Sequence, residues 1–246
     1  MKNTFNYLKA VAILLILIQL PYSRLIAKPK ILVFTKTKGY HHSAIETGVP
    51  VIIKMGQENN FDVDTTSNAD KFTADNLDQY AAVVFFCTTG DVLNDQQQQA
   101  FEYYIRKGGG FVGVHSATDT EYGWQWYGDL VGAYFRSHPK VQQIAKLNVV
   151  DRNFIATKHL PAVWSRKDEW YNFEYIAKGL HVLITIDEKS YEGGKNGNYH
   201  PMAWYHEYDG GRAFYTALGH VDESYSDPLF LKHLLGGIQY AMGNAK

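Results

Sequence analysis

Three short runs of nearly unbroken apolar residues constrain this chain most: Lys30–Thr35 (KILVFT), Ala81–Phe86 (AAVVFF) and Gly110–His115 (GFVGVH). A strand half-exposed to water alternates apolar and polar residues, whereas a continuous apolar run of this length reads as a strand covered on both faces. The segments between the runs read as helices. Ser43–Asn60 is predicted helical, although Gly48 and Pro50 count against its first half. Asn94 is an N-cap for a helix that runs to Lys107 and stops at Gly108. With Phe61–Thr66 as a further short strand, the order requires crossovers and hence a parallel α/β sheet. The second half is richer in strands: Val141–Val150, Leu180–Asp187, Pro201–Tyr208 and Arg212–Leu218. Asp209-Gly210-Gly211 is a hairpin turn between the last two, and a closing helix spans about Asp227–Met242. No repeat or low-complexity linker divides the chain, so one domain over residues 28–246 is expected.

The first 27 residues stand apart. Lys2 and Lys9 precede an apolar run, Ala10–Leu20, followed by Pro21 and the small Ala27, the layout of a secretory signal peptide. The run is short for a membrane span, which needs about 20 apolar residues. The competing reading is an uncleaved anchor, because Leu25 stands where a small residue is preferred. The expected location is therefore periplasmic or secreted, with membrane contact only through this segment. Its removal takes away three bases and no acids, which leaves 21 bases against 25 acids and a net charge of −4. That balance gives no electrostatic footprint for nucleic acid. A single cysteine excludes a disulfide framework and cysteine-based metal sites. Cys87, after an apolar strand, reads as a small buried hydrophobe rather than a nucleophile.

Ligands of open parallel sheets bind beyond the carboxyl ends of the strands. Four of the ten histidines fall at such ends: His41, His42, His115 and His220. Imidazole serves as acid, base or metal ligand near neutrality. His41 and His42 are adjacent, so only one of them should face the cleft. Lys36 and Lys38 read as solvated charge, and their loop lacks the spacing of a phosphate-binding loop. The strongest local feature is Gly108–Ala117 (GGGFVGVHSA). A glycine-rich entry, a buried strand and Gly-x-His-x-Ala describe a tight strand-to-helix elbow that displays His115 beside helix N-terminal amides. Ser116 stands one position late for a serine elbow, which argues against a Ser-His-Asp hydrolase.

The segments KTKGYHHSAIETG, GGGFVGVHSATDT, GAYFRSHPKVQ, RKDEWYNFE and PMAWYHEYDGGRAFYTALGH, with the closing helix, resemble the trehalose-utilization ThuA-like family over about Pro29–Ala241. The resemblance implies a flavodoxin-like three-layer α/β sandwich related to class I glutamine amidotransferases. Those enzymes carry Cys at the elbow. This chain has His115 there, and His220 is followed by Val221, Asp222 and Glu223, so the resemblance does not support thiol-based glutamine hydrolysis. It implies a role in carbohydrate use, including 3-keto sugars and 3-keto glycosides. It also adds His138 and Glu169 to the candidate residues.

The expected catalytic set is His115, Glu169 and His220. The expected substrate contacts are Tyr40, His41, His42, Asp119, Trp124, Trp126, His138 and Tyr171. Trp124 and Trp126 are expected in a cleft wall, where flat aromatic faces pack on sugar rings, and Trp204 is expected in the core. No cofactor is fixed by the sequence. His115, His138, Glu169 and His220 together suit a divalent metal, although no His-x-His or His-x-x-x-His spacing marks one. The expected partner is a small-molecule carbohydrate, and homo-oligomer formation is left open. The leading expectation is an enzyme using His/Glu acid–base chemistry on a glycoside or keto sugar. The alternatives are a sugar-binding module without turnover and a partner of a sugar oxidoreductase.

Overall fold

The computed structural model describes residues 28–244. The signal-peptide assignment over residues 1–27 lies outside the described residues. In chain order the elements are β1 (Lys30–Phe34), α1 (Ala44–Glu58), β2 (Asp62–Thr66), α2 (Ala74–Leu77), β3 (Ala82–Phe86), α3 (Asp95–Arg106), β4 (Gly110–Val114), α4 (Gln125–Val131) and β5 (Ala133–Ser137). They continue with β6 (Gln143–Val149), β7 (Val163–Asp168), β8 (Asn172–Ile176), β9 (His181–Ile186), β10 (Pro201–Tyr208), β11 (Gly211–Thr216) and α5 (Pro228–Ala241).

Nine strands form one sheet in the order β2-β1-β3-β4-β11-β10-β9-β6-β7. The first five in that order run parallel, and β10, β9, β6 and β7 extend the sheet antiparallel. This is the α/β, flavodoxin-like architecture expected from the sequence, with its β-rich second half. The apolar runs account for it directly. β3 and β4 are buried at every position because helices cover both faces. On β11, Phe214 packs against Gly237 of α5, while its neighbour Tyr215 turns to the opposite face and packs on Trp204. α1 and α5 share the turn at Asp222–Ser226 on one face, α2 packs on α3, and α4 lies on β4 and β11. Phe85 of β3 is ringed by Phe34, Phe72, Phe101 and Phe111, with centroids 5.2–5.8 Å away. Each such buried ring is worth about 1.5–3 kcal/mol relative to an exposed one.

Several local expectations hold. Asn94 closes a reciprocal capping box with Gln97 at the start of α3. Asp209 and Gly210 take positive φ values of 46° and 92° in the β10–β11 hairpin, as a tight turn of this kind requires. Trp204 is fully buried in the core, as expected, and so is Cys87, whose thiol is pushed up by burial. α1 runs unbroken through Gly48 and Pro50, against the breaker reading.

Three differences bear on function. No α-helix follows the elbow: His115–Asp119 is a single 3₁₀ turn and α4 begins only at Gln125. The apex histidine therefore does not sit at a helix N-terminus. Lys36 is not simply solvated, because its Nζ donates to the Val92 carbonyl at 2.8 Å. Finally, β5 and β8 pair in a separate two-stranded ladder that the sequence reading did not include. No helix of the described residues is long and apolar enough to cross a membrane.

Candidate active site

Sheet order reverses between β1 and β3, and the site lies on that side, beyond the carboxyl ends of the strands. His42 comes from the loop after β1, His115 from the end of β4 and His220 from the segment after β11. Glu169 follows β7. The β5–β8 ladder supplies the facing wall: His138 just after β5 and Tyr171 just before β8, with Phe135 and Tyr171 rings 4.2 Å apart.

His115 is fully buried and has φ of +51°. That backbone conformation costs a β-carbon-bearing residue about 1–3 kcal/mol and persists only where its surroundings hold it. Here the Tyr215 hydroxyl donates to the His115 carbonyl at 2.7 Å, and the ring Nδ1 lies 3.0 Å from the Ala217 carbonyl. A carbonyl only accepts, so Nδ1 carries a proton and donates it there, which leaves Nε2 facing the cavity. Nε2 faces His220 Nδ1 at 3.1 Å and Glu169 Oε2 at 3.5 Å, and His220 Nδ1 lies 3.2 Å from the same oxygen. His138 Nδ1 approaches the other carboxylate oxygen, Oε1, at 3.3 Å. His42 packs edge-on to both His115 and His220, with ring centroids 4.8 and 5.2 Å away.

The electrostatics separate these groups. Burial, reinforced by the neighbouring His115 and His220, lowers His42 to about 2, so it is a neutral imidazole. Burial acts to raise the Glu169 carboxyl, but hydrogen bonds and charge from His115 and His220 outweigh it and hold the group well below the usual carboxylate range. Burial acts to lower His220, and the Glu169 carboxylate overcomes this, so His220 is raised. Asp119 is raised, mainly by burial, while the Tyr122 hydroxyl donates to it at 2.7 Å. Glu169 is thus a stable anion and Asp119 a more basic carboxyl lining the same cavity, an asymmetry suited to acid–base work.

The cavity holds about 270 Å³. Tyr40, His42, Asp119, His138, Glu169, Tyr171 and His220 line it, and His115 backs it through contacts with His42, Tyr171 and His220. Of the eleven expected site residues, the structure therefore gathers eight. Three lie elsewhere. His41 is exposed and its Nε2 pairs with Glu46 at 2.7 Å, so His42 is the member of the pair that faces inward. Trp124 and Trp126 stack on each other with centroids 5.1 Å apart, and their indole N–H groups donate to Glu102 and Asp209. Asp209 belongs to the hairpin at the opposite, amino end of β11, so the two tryptophans cover α3 and do not wall the cleft.

Two residues outside the expected set shape the site. Phe135 lines the cavity, and nothing in its sequence context separates it from a core aromatic. Asp168 is fully buried and accepts backbone N–H groups from Glu169, Gly219 and His220 at 3.0, 3.0 and 3.1 Å, while Arg166 pairs with it at 3.1 Å. It ties the strand that carries Glu169 to the segment that carries His220. The four side chains His42, His115, Glu169 and His220 each place one donor atom within 4.8 Å of all the others.

No curated protein matches the sequence. The structure is similar to that of a ThuA-like protein from Bacteroides uniformis, with a TM-score of 0.75 at 22% identity, covering 92% of this chain and 97% of that one. A ThuA-like protein from Parabacteroides merdae gives a TM-score of 0.67 at 22% identity, covering 89% and 92%. A β-galactosidase from Bacillus circulans shares the fold at a TM-score of 0.55 and 12% identity, over 88% of this chain and 31% of that one. With the ThuA pattern, described as trehalose utilisation, matched over residues 30–241, the chain belongs to the ThuA family, whose fold is glutamine amidotransferase-like.

Proposed function

We propose that this protein is a carbohydrate-processing enzyme that uses His115, Glu169 and His220 for proton transfer on a 3-keto glycoside or related keto sugar. The observation that carries the reading is the meeting of His115 Nε2, His220 Nδ1 and Glu169 Oε2 within 3.5 Å of one another at the wall of a sugar-sized cavity. The family's description supports a carbohydrate role.

A ketone at C3 acidifies the hydrogen on C2. In the proposed step the lone pair on His115 Nε2 takes that proton, the C1–O bond to the leaving alcohol breaks, and a C1=C2 double bond forms. The alkoxide leaves as the alcohol by taking a proton from an acid, and His220, with its raised proton affinity beside Glu169, is that donor. Glu169 stays ionised and steadies both imidazoles as charge moves between them. Tyr171, held as a neutral phenol by burial, packs 4.4 Å from the His115 ring, and Tyr40 and His138 flank the cavity. A divalent cation held by the same donors would polarise the ketone oxygen and would occupy the His115 Nε2 lone pair, so it and proton transfer at that atom exclude one another. The fully buried thiol of Cys87 offers no route to thiol-based glutamine hydrolysis. Placement outside the cytoplasm forms part of the reading and rests on the sequence of residues 1–27 alone.

The test is incubation of purified protein with glycosides and their 3-keto forms, followed by product analysis. Turnover of the keto forms that falls about 100-fold or more in His115→Ala and in Glu169→Gln supports the assignment. Turnover unchanged in both variants rejects it. Calorimetric binding of keto glycosides without any product supports the sugar-binding alternative.

A further inference from the structure

His115 Nε2, His220 Nδ1 and Glu169 Oε2 form a triangle with edges of 3.1, 3.2 and 3.5 Å. Ligand atoms about 2.0–2.1 Å from a tetrahedral metal stand about 3.4 Å apart. The triangle therefore already has nearly the dimensions of one face of a metal coordination sphere. The fourth donor, from His42, lies within 4.8 Å of these atoms, so it needs a shift of about an ångström to complete the set.

We propose that His42, His115, Glu169 and His220 bind a divalent first-row transition cation of the zinc type; the proposal rests on the reading of this cluster as the reacting centre, and the bound cation would occupy the His115 Nε2 lone pair that takes the substrate proton in the metal-free form. Three imidazoles and one carboxylate suit zinc, iron or nickel, whereas magnesium and calcium prefer all-oxygen sets. The outer contacts match those of a metal centre. His115 donates its remote Nδ1–H to the Ala217 carbonyl, which fixes the ring with Nε2 inward, and His138 contacts the carboxylate oxygen of Glu169 that faces away from the triangle. Asp168 fixes the backbone at both Glu169 and His220. Three of the donors stand on loops beyond different strands of the main sheet, and His115 stands on the strained elbow, so the pocket is built by the fold and not by a local sequence motif. The cavity bounded by Tyr40, Asp119 and Tyr171 leaves one side of the cluster open to a small oxygen-bearing ligand.

The experiment uses the full chain, stripped with a chelator and titrated with Co²⁺ or Zn²⁺, with visible absorption and elemental analysis as readouts. One equivalent of tightly bound metal is expected, with cobalt absorption typical of low coordination number. His220→Ala and Glu169→Gln should weaken binding more than about 100-fold, beyond what loss of an outer-shell partner costs. His41→Ala, with its ring at the surface, should bind as the unsubstituted protein does. Binding below a tenth of an equivalent, or binding that survives both site substitutions, overturns the proposal and identifies the cluster as a proton-sharing network. The outcomes separate from those of the catalytic reading. Keto-glycoside turnover by chelator-stripped protein leaves the acid–base assignment standing without the metal. Stoichiometric metal with no turnover removes the catalytic reading and keeps the metal site.

Discussion

Asp168 shows how one residue can support a site without touching its cavity. Its carboxylate accepts three backbone N–H groups around Glu169 and His220 and pairs with Arg166, whose guanidinium stacks on Trp164 and Phe230 at 4.7 and 5.0 Å. Removing one partner of a buried pair leaves the other charge uncompensated, at a cost of about 3–5 kcal/mol. Asp168→Ala should lose about that much stability in a urea unfolding measurement. Asp168→Asn keeps one acceptor oxygen but turns an amide NH2 toward N–H donors, so it should lose nearly as much; full retention of stability in Asp168→Asn would show that the carboxylate charge is immaterial. His115 is the other residue whose geometry matters. Its φ of +51° would be relaxed by glycine, so His115→Gly should remove chemistry while costing less stability than the loss of a buried side chain suggests.

At the scale of elements, Gly48 on α1 makes the sharpest prediction. A glycine inside a helix normally costs about 1 kcal/mol relative to alanine, so Gly48→Ala looks favourable from propensity alone. The added Cβ, however, would stand 2.4 Å from the Phe86 ring and 2.7 Å from Tyr225, both buried. Overpacking of this kind costs about 1–3 kcal/mol, so the net change should be destabilising, read as a lower urea midpoint with an unchanged slope. Asn94→Ala should cost about 1 kcal/mol by removing the capping box of α3.

The same scale explains what the sequence made legible. β1, β3 and β4 announced themselves because a strand covered on both sides needs no polar face. The elbow was legible through Gly113, His115 and Ala117, since a tight turn limits residue size. β7 was not: its inward positions include Trp164 and Asp168, and a buried charge breaks the apolar alternation that identifies a strand. β5 and β8 pair only with each other, so their pattern carried little signal although they frame the cavity. Trp124 and Trp126 were misplaced because aromatic loops suit a sugar wall and a packed helix flank equally, and only the hairpin carboxylate at Asp209 decides between them.

For the whole molecule, acid sensitivity follows from buried histidines. His233 sits on the buried face of α5, with Nδ1 at 2.8 Å from the Ala156 carbonyl and Nε2 at 3.1 Å from the Thr216 hydroxyl. Burial lowers it to about 3. Between that value and the unfolded value near 6.5, the unfolded chain binds the extra proton, so stability rises with pH across this window and falls on acidification. The slope from one such group is at most about 1.4 kcal/mol per pH unit. His233→Gln should flatten the pH dependence of unfolding between pH 4 and 6 by up to that slope; an unchanged slope would show that His233 already carries its proton in the fold.

The central claim is that histidines brought together by distant strands, His115 foremost, move a proton on a keto sugar. Its most direct measurement is reaction of a 3-keto glycoside in D₂O with a substrate deuterated at C2, followed by NMR and rate comparison. The account predicts slower cleavage of the C2-deuterated substrate, release of the free alcohol and near-complete loss of both in His115→Ala. Equal rates for the two isotopes together with undiminished turnover by His115→Ala would contradict it.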